Sequence, residues 1–119
     1  MNAEVKELLT LAAKAMGYRN PVWHEVWHEV GDGLRVELPK GGHEWWNPLT
    51  SADDLVDMEC QMSLETIWAE DRCIVTAWFS ERSFGAHELY SNHHSRRAAK
   101  AMASLRVVAE IGKIMEEEE

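Results

Sequence analysis

The stretch Val22-Trp23-His24-Glu25-Val26-Trp27-His28-Glu29-Val30, followed by Gly31-Asp32-Gly33 and Leu34-Arg35-Val36-Glu37-Leu38, decides the fold. Read as a strand, it sets Trp23, Glu25, Trp27 and Glu29 on one face and Val22, His24, Val26, His28 and Val30 on the other. Read as a helix, it gathers Val22, Trp23, Val26, Trp27 and Val30 into a stripe, with Asn20 as cap and Pro21 at the first helical position. β-branched and aromatic side chains favour the pleated state, and the segment is short for a helix. Gly31-Asp32-Gly33 is turn chemistry, and Leu34–Leu38 alternates cleanly after it. The reading is therefore strand, turn, strand.

Working outward, the preceding segment is an amphipathic helix. Val5, Leu8, Leu9, Ala12 and Met16 recur at three- and four-residue spacing, Asn2 can cap the start, and Gly17 is placed to end it. Beyond the hairpin, Pro39-Lys40-Gly41-Gly42 is a loop, and His43–Leu49 leads into a second helix. Thr50 or Ser51 caps that helix, Asp53 and Asp54 complement its dipole, and Ala52, Leu55, Met58, Glu59 and Met62 trace it. Leu64–Trp68 and Cys73–Phe79 read as strands around the polar connection Ala69–Arg72. Ser80–His94 has no sustained period and reads as a long loop. Ser95 caps a final helix through Ala98, Ala101, Met102, Leu105, Val108, Ala109, Gly112 and Met115. Arg96, Arg97 and Lys100 sit at the dipole end that disfavours them, as do Glu116–Glu119.

The expected order is α-β-β-α-β-β-α: an α+β domain with an antiparallel sheet of about four strands packed by helices. Residues 1–115 are expected to form one domain, and 116–119 an acidic disordered tail. The 119 residues and 13.6 kDa suit a single core, and 45% hydrophobic with 28% charged residues is a globular composition. A net charge of −9 argues against direct binding of nucleic acid or an anionic membrane. No apolar run is long enough to span a bilayer, and the first residues do not read as an export signal, so a cytoplasmic location is expected. Cys60 and Cys73 are then expected to be free thiols acting as small buried hydrophobes.

One motif invites an enzyme. His24-Glu25-Val26-Trp27-His28 reads H-E-x-x-H, which on a helix puts two imidazoles on one face for zinc and a carboxylate beside the bound water. Gly31 fits the extended form of the motif, but Leu34 stands where a third histidine would be; Glu59 is the alternative third ligand. Three objections weigh against a zinc hydrolase. On a strand, Glu25 points away from His24 and His28. A histidine- and glutamate-rich chain carrying a WHEV-WHEV duplication produces the pattern readily by chance. Little chain remains to build a substrate cleft and supporting shell. No cofactor is expected; zinc held by His24 and His28, with Glu25 as base, is the alternative.

The other chemistry-bearing residues are histidines and tryptophans. His87, His93 and His94 fall in the long loop and are candidates for a binding contact, against the plainer reading of exposed polar residues. Trp68 and Trp78 are expected to pack under helices. Trp45 and Trp46 are adjacent, so on an extended backbone they point opposite ways, one toward a core and one toward a contact.

With Ala13-Lys14-Ala15-Met16-Gly17-Tyr18 and Trp46-Asn47-Pro48-Leu49-Thr50-Ser51-Ala52-Asp53-Asp54-Leu55 quoted, the chain resembles the phage ABA sandwich domain, a family of small phage and prophage proteins. That resemblance implies a first helix ending in a Met-Gly-aromatic turn and a second beginning near Thr50. It further implies an Ala-rich closing helix over Ala98–Ile111 and Trp46 at the edge of the core. It implies no catalytic residues. Trp27–Gly42 and Ser80–His94 depart from the family pattern.

The functional expectation is a small non-enzymatic phage or prophage accessory protein acting by protein–protein binding, in one version inhibiting a host factor. Trp45, Trp46, His87, His93 and His94 are its candidate contact residues, and the partner is an unidentified protein. A structural homo-oligomer touching through Trp45 or Trp46 is a further alternative.

Overall fold

The apolar spacing of the first segment folds as a helix. In a computed structural model that describes residues 3–24 and 33–118, α1 runs Ala3–Ala15. It ends at Gly17, whose φ of +83° only glycine adopts without strain. There Tyr18 N–H donates to the Ala13 carbonyl and Gly17 N–H to that of Lys14, the paired bonds of a Schellman end. The Asn2 cap lies outside the described residues.

The decisive stretch is extended where it is described. β1 (Arg19–His24), β2 (Gly33–Glu37) and β3 (His43–Trp46) form an antiparallel sheet in the order β1-β2-β3. Val22, Trp23 and His24 stand opposite Arg35, Leu34 and Gly33. The rest of the stretch, Glu25 to Val30 with Gly31 and Asp32, falls outside the described residues. β3 was not expected: four residues before Asn47-Pro48 are too few to show alternation, yet they complete the sheet against β2.

Ser51 caps α2 (Ala52–Gln61), its hydroxyl accepting the Asp54 N–H at 3.2 Å. Then come β4 (Glu65–Ala69), β5 (Ile74–Phe79) and β6 (Phe84–Leu89), a second antiparallel sheet in that order. β6 corrects the reading of Ser80–His94 as one long loop. Its residues alternate, but between Phe84, Ala86 and Glu88 on one face and Gly85, His87 and Leu89 on the other, so neither face is continuously apolar. The element order is therefore α-β-β-β-α-β-β-β-α, and one sheet of four strands is replaced by two sheets of three.

α3 (Arg96–Glu117), capped by Ser95, organises both sheets. Residues two apart on a helix lie nearly opposite. Ala101, Leu105 and Val108 join one core with α1, β2, Trp46 and α2, while Ala103 and Val107 join a second with Ala77 and Phe79 of β5. A helix buried on two sides explains its many small residues. The charge at its start is balanced from outside, since Arg96 forms a two-pronged ion pair with Glu70 at 2.8 and 2.9 Å. Glu116 and Glu117, in the stretch expected to be an acidic tail, continue the helix as exposed residues.

Three smaller expectations are also corrected. Cys60 and Cys73 are free but exposed, because α2 turns Cys60 outward and Cys73 sits at a left-handed turn. Trp68, on edge strand β4, is 41% exposed and meets the Tyr90 ring at 5.9 Å instead of a helix. Trp78 lies on the face of β5 turned away from α3, its ring over Gly85. Among the described residues no helix is long and apolar enough to cross a membrane.

Candidate functional site

The site grows from the end of β3 into α2. Alternation sends Trp45 outward, opposite Arg35 and 40% exposed, and Trp46 inward, opposite Leu34 and 2% exposed. Trp46 meets Tyr18 edge-on at 5.7 Å. The chain then reverses on buried Asn47. Its side-chain oxygen accepts the Leu49 N–H at 3.0 Å, its carbonyl accepts from Thr50 and Ser51, and its own N–H donates to Asp54 Oδ2 at 2.9 Å. This closed turn fixes where α2 begins, and so where Asp53, Asp54 and Asp57 stand relative to Glu44 on β3.

The result is a cleft of about 470 Å³ between β3 and α2, lined by Trp45, Trp46 and the carboxylates Glu44, Asp53, Asp54 and Asp57, with Gly33 at one end. Every charged side chain lining it is acidic. The crowding is felt by its members. Burial pushes the Asp54 carboxyl above its ordinary value, and Asp57 and Asp53 push the same way against the hydrogen bonds from Asn47 and Ser51. Burial likewise raises the Tyr18 phenol, with Glu44, Asp54 and Asp57 adding to it. A cleft of this sign with an exposed indole on its rim suits an ammonium or guanidinium group, which the carboxylates attract and the indole face accepts.

Of the zinc motif, the structure describes His24 alone among the histidines and glutamate. His24 sits on a strand, its ring edge-on to Trp45 at 5.0 Å, beside Arg35, Glu44 and His43. Glu25 and His28 lie outside the described residues. Glu59 is engaged elsewhere, accepting from Ser104 Oγ at 2.7 Å and from Lys100 Nζ at 2.9 Å. No group of three or more His, Cys, Asp or Glu side chains that could hold a metal occurs among the described residues.

The candidate histidines go three ways. His87 is exposed on the face of β6 turned away from α3, opposite Thr76. His93 turns inward, 2.8 Å from Glu88 Oε1, and Arg106 Nε lies 3.2 Å from the other oxygen of that carboxylate. Glu88 thus ties the end of β6 to His93 ahead of α3 and to Arg106 within it. His94 is exposed on a separate cleft of about 230 Å³ between the starts of α2 and α3. The structure brings Trp45 and Trp46 together with the acidic cleft and does not bring these histidines to it. Sequence reasoning passed over Glu44 and Asp57. Asp53 and Asp54 were legible only as helix-dipole partners, and a count of acids flanking the Trp-Trp pair would have been the signal.

No protein-family model matches this chain, and no curated protein or solved structure matches it.

Proposed function

We propose that this chain is a small non-enzymatic accessory protein, of the phage or prophage kind its two motifs resemble, that works in the cytoplasm by binding another protein. The observation that supports it is the half-exposed Trp45 on the rim of a cleft lined by four carboxylates. Exposed tryptophan is the residue most enriched at binding hot spots, and a carboxylate-lined groove selects a basic partner. The reading assigns no cofactor and no reacting group. Its narrower form is inhibition of a host factor that handles nucleic acid: such a factor carries a basic groove, and a surface of net charge −9 competes for it.

The test is affinity capture at several salt concentrations with the wild-type chain, Trp45→Ala and the double variant Asp53→Asn/Asp57→Asn. A basic partner held by the wild type, lost with Trp45→Ala and weakened by the double variant or by salt, supports the reading. A partner retained equally by all three chains overturns it.

A further inference from the structure

Each three-stranded sheet leaves two edges with unpaired backbone donors and acceptors, and three of the four edges are blunted. β1 carries Pro21, a left-handed Asn20 and a break in register between Arg19 and Val22. β3 is four residues long and carries His43 and Glu44. β6 contains Gly85 and carries His87 and Glu88. β4 is blunted least: its one charge is at its first residue, Glu65, and it has no proline, glycine or break in register. It pairs with β5 residue for residue from Glu65 to Ala69, and after Glu65 the run Thr66-Ile67-Trp68-Ala69 has no charge, proline or glycine. Ile67 is 48% exposed on one side of the strand, and Trp68 is similarly exposed on the other. Among the described residues nothing pairs with the outer edge of β4.

We propose that this edge is occupied by a second copy of the same chain, the two β4 strands pairing antiparallel about Ile67 to make one six-stranded sheet. The strand is self-complementary in that register. Ile67 meets Ile67 of the partner subunit, Thr66 meets the partner's Trp68, and Glu65 meets the partner's Ala69, so no glutamate faces a glutamate. The register matters because the chain carries a net charge of −9 and copies repel; this pairing sets the one charge of each strand, Glu65, against the partner's Ala69 and leaves the centre uncharged. Cross-strand aliphatic and aromatic–Thr pairs stabilise such a contact, and like charges placed opposite disrupt it. The two sheet faces turned away from α3, each carrying Ile67, Ile74, Trp78 and Leu89, become continuous across the junction. The contact does not involve the Trp45 cleft and stands or falls separately from the binding function proposed above.

The test is sedimentation velocity over a concentration series reaching the order of 100 μM, since a five-residue edge makes a small interface. The wild-type chain should move from its monomer mass of 13.6 kDa toward twice that value. Ile67→Lys and Ile67→Glu should each weaken the dimer by about tenfold or more with unchanged circular dichroism. Mixing the two variants should restore it, because the introduced ammonium and carboxylate then face one another. Val22→Lys, on an equally exposed position of β1, and Trp45→Ala should leave the dimer as in the wild type. A wild-type chain that stays monomeric throughout, an Ile67→Lys chain that dimerises as well as wild type, or a mixture that fails to recover the dimer overturns the proposal.

Discussion

The Glu59 carboxylate on α2 accepts a 2.7 Å hydrogen bond from Ser104, a hydroxyl wholly buried on α3, while its other oxygen lies 2.9 Å from Lys100 Nζ. The three side chains fasten α2 to α3 across more than forty residues of sequence, and Glu59 serves both donors. Removing it strands a buried hydroxyl and an ammonium that is largely enclosed. Glu59→Ala should therefore cost about 2–3 kcal/mol in urea unfolding, and Ser104→Ala about 1 kcal/mol. Glu59→Gln keeps an acceptor for Ser104 and should fall between them. Equal midpoints for wild type and Glu59→Ala would show that the network adds nothing.

Asp54 sets a pH dependence whose sign follows from burial. Its folded-state pKa is raised above the ordinary 3.8, chiefly because burial disfavours the charged form. The native state then holds the proton more tightly than the unfolded chain does. The stabilising contribution is fully present below pH 3.8 and is lost as pH rises through the raised folded value. Asp54→Asn keeps a side-chain oxygen for the Asn47 N–H and removes the titration. Measured against that variant, the wild type should gain relative stability as pH falls from neutral toward the ordinary carboxylate value. Parallel stability–pH curves for the two chains would refute the assignment.

The parts of the fold legible in sequence are those governed by local chemistry. The Gly17 turn, the Ser51 and Ser95 caps, the strand character of Val22–His24 and the opposed directions of Trp45 and Trp46 each depend on a few neighbouring residues. β3 and β6 were missed because pairing partners far along the chain form them, and their own residues carry too little alternation or β propensity. The division into two sheets follows from α3 being buried on opposite sides, and its Ala-rich stretch reads as one stripe when only a single core is assumed. The cleft was half legible. The Trp-Trp pair marked it, but Glu44 and Asp57 become neighbours only once the Asn47 turn has folded α2 back against β3.

At Gly112, α3 comes close against α1: a β-carbon built there would lie 1.9 Å from the Leu11 carbonyl oxygen. Alanine favours a helix by about 1 kcal/mol over glycine, so on propensity alone Gly112→Ala would stabilise the chain. The overlap is with backbone, which cannot swing aside, and the two helices must separate. The overpacking cost should exceed the propensity gain and leave Gly112→Ala less stable by about 1–3 kcal/mol. Thermal unfolding checks this directly, and a stabilised variant would mean the helices are not in contact there.

Trp45 and Trp46 offer the sharpest contrast between neighbouring residues. Trp46 fills the first core between Tyr18 and Leu34, so Trp46→Ala should cost about 3–5 kcal/mol through the cavity it leaves. Its indole Nε1 is buried without a hydrogen-bond partner among the described residues, so Trp46→Phe removes an unsatisfied donor together with some volume. That variant should lose only about 1 kcal/mol, because the relief of the orphaned N–H offsets part of the lost packing. Trp45 lies on the open side of β3, with the His24 ring edge-on to it at 5.0 Å. Trp45→Ala should change stability by no more than about 0.5 kcal/mol. Chemical denaturation of the three variants separates the roles: comparable losses for Trp45→Ala and Trp46→Ala would mean that Trp45 is a packing residue, and the binding surface proposed around it would lose its anchor.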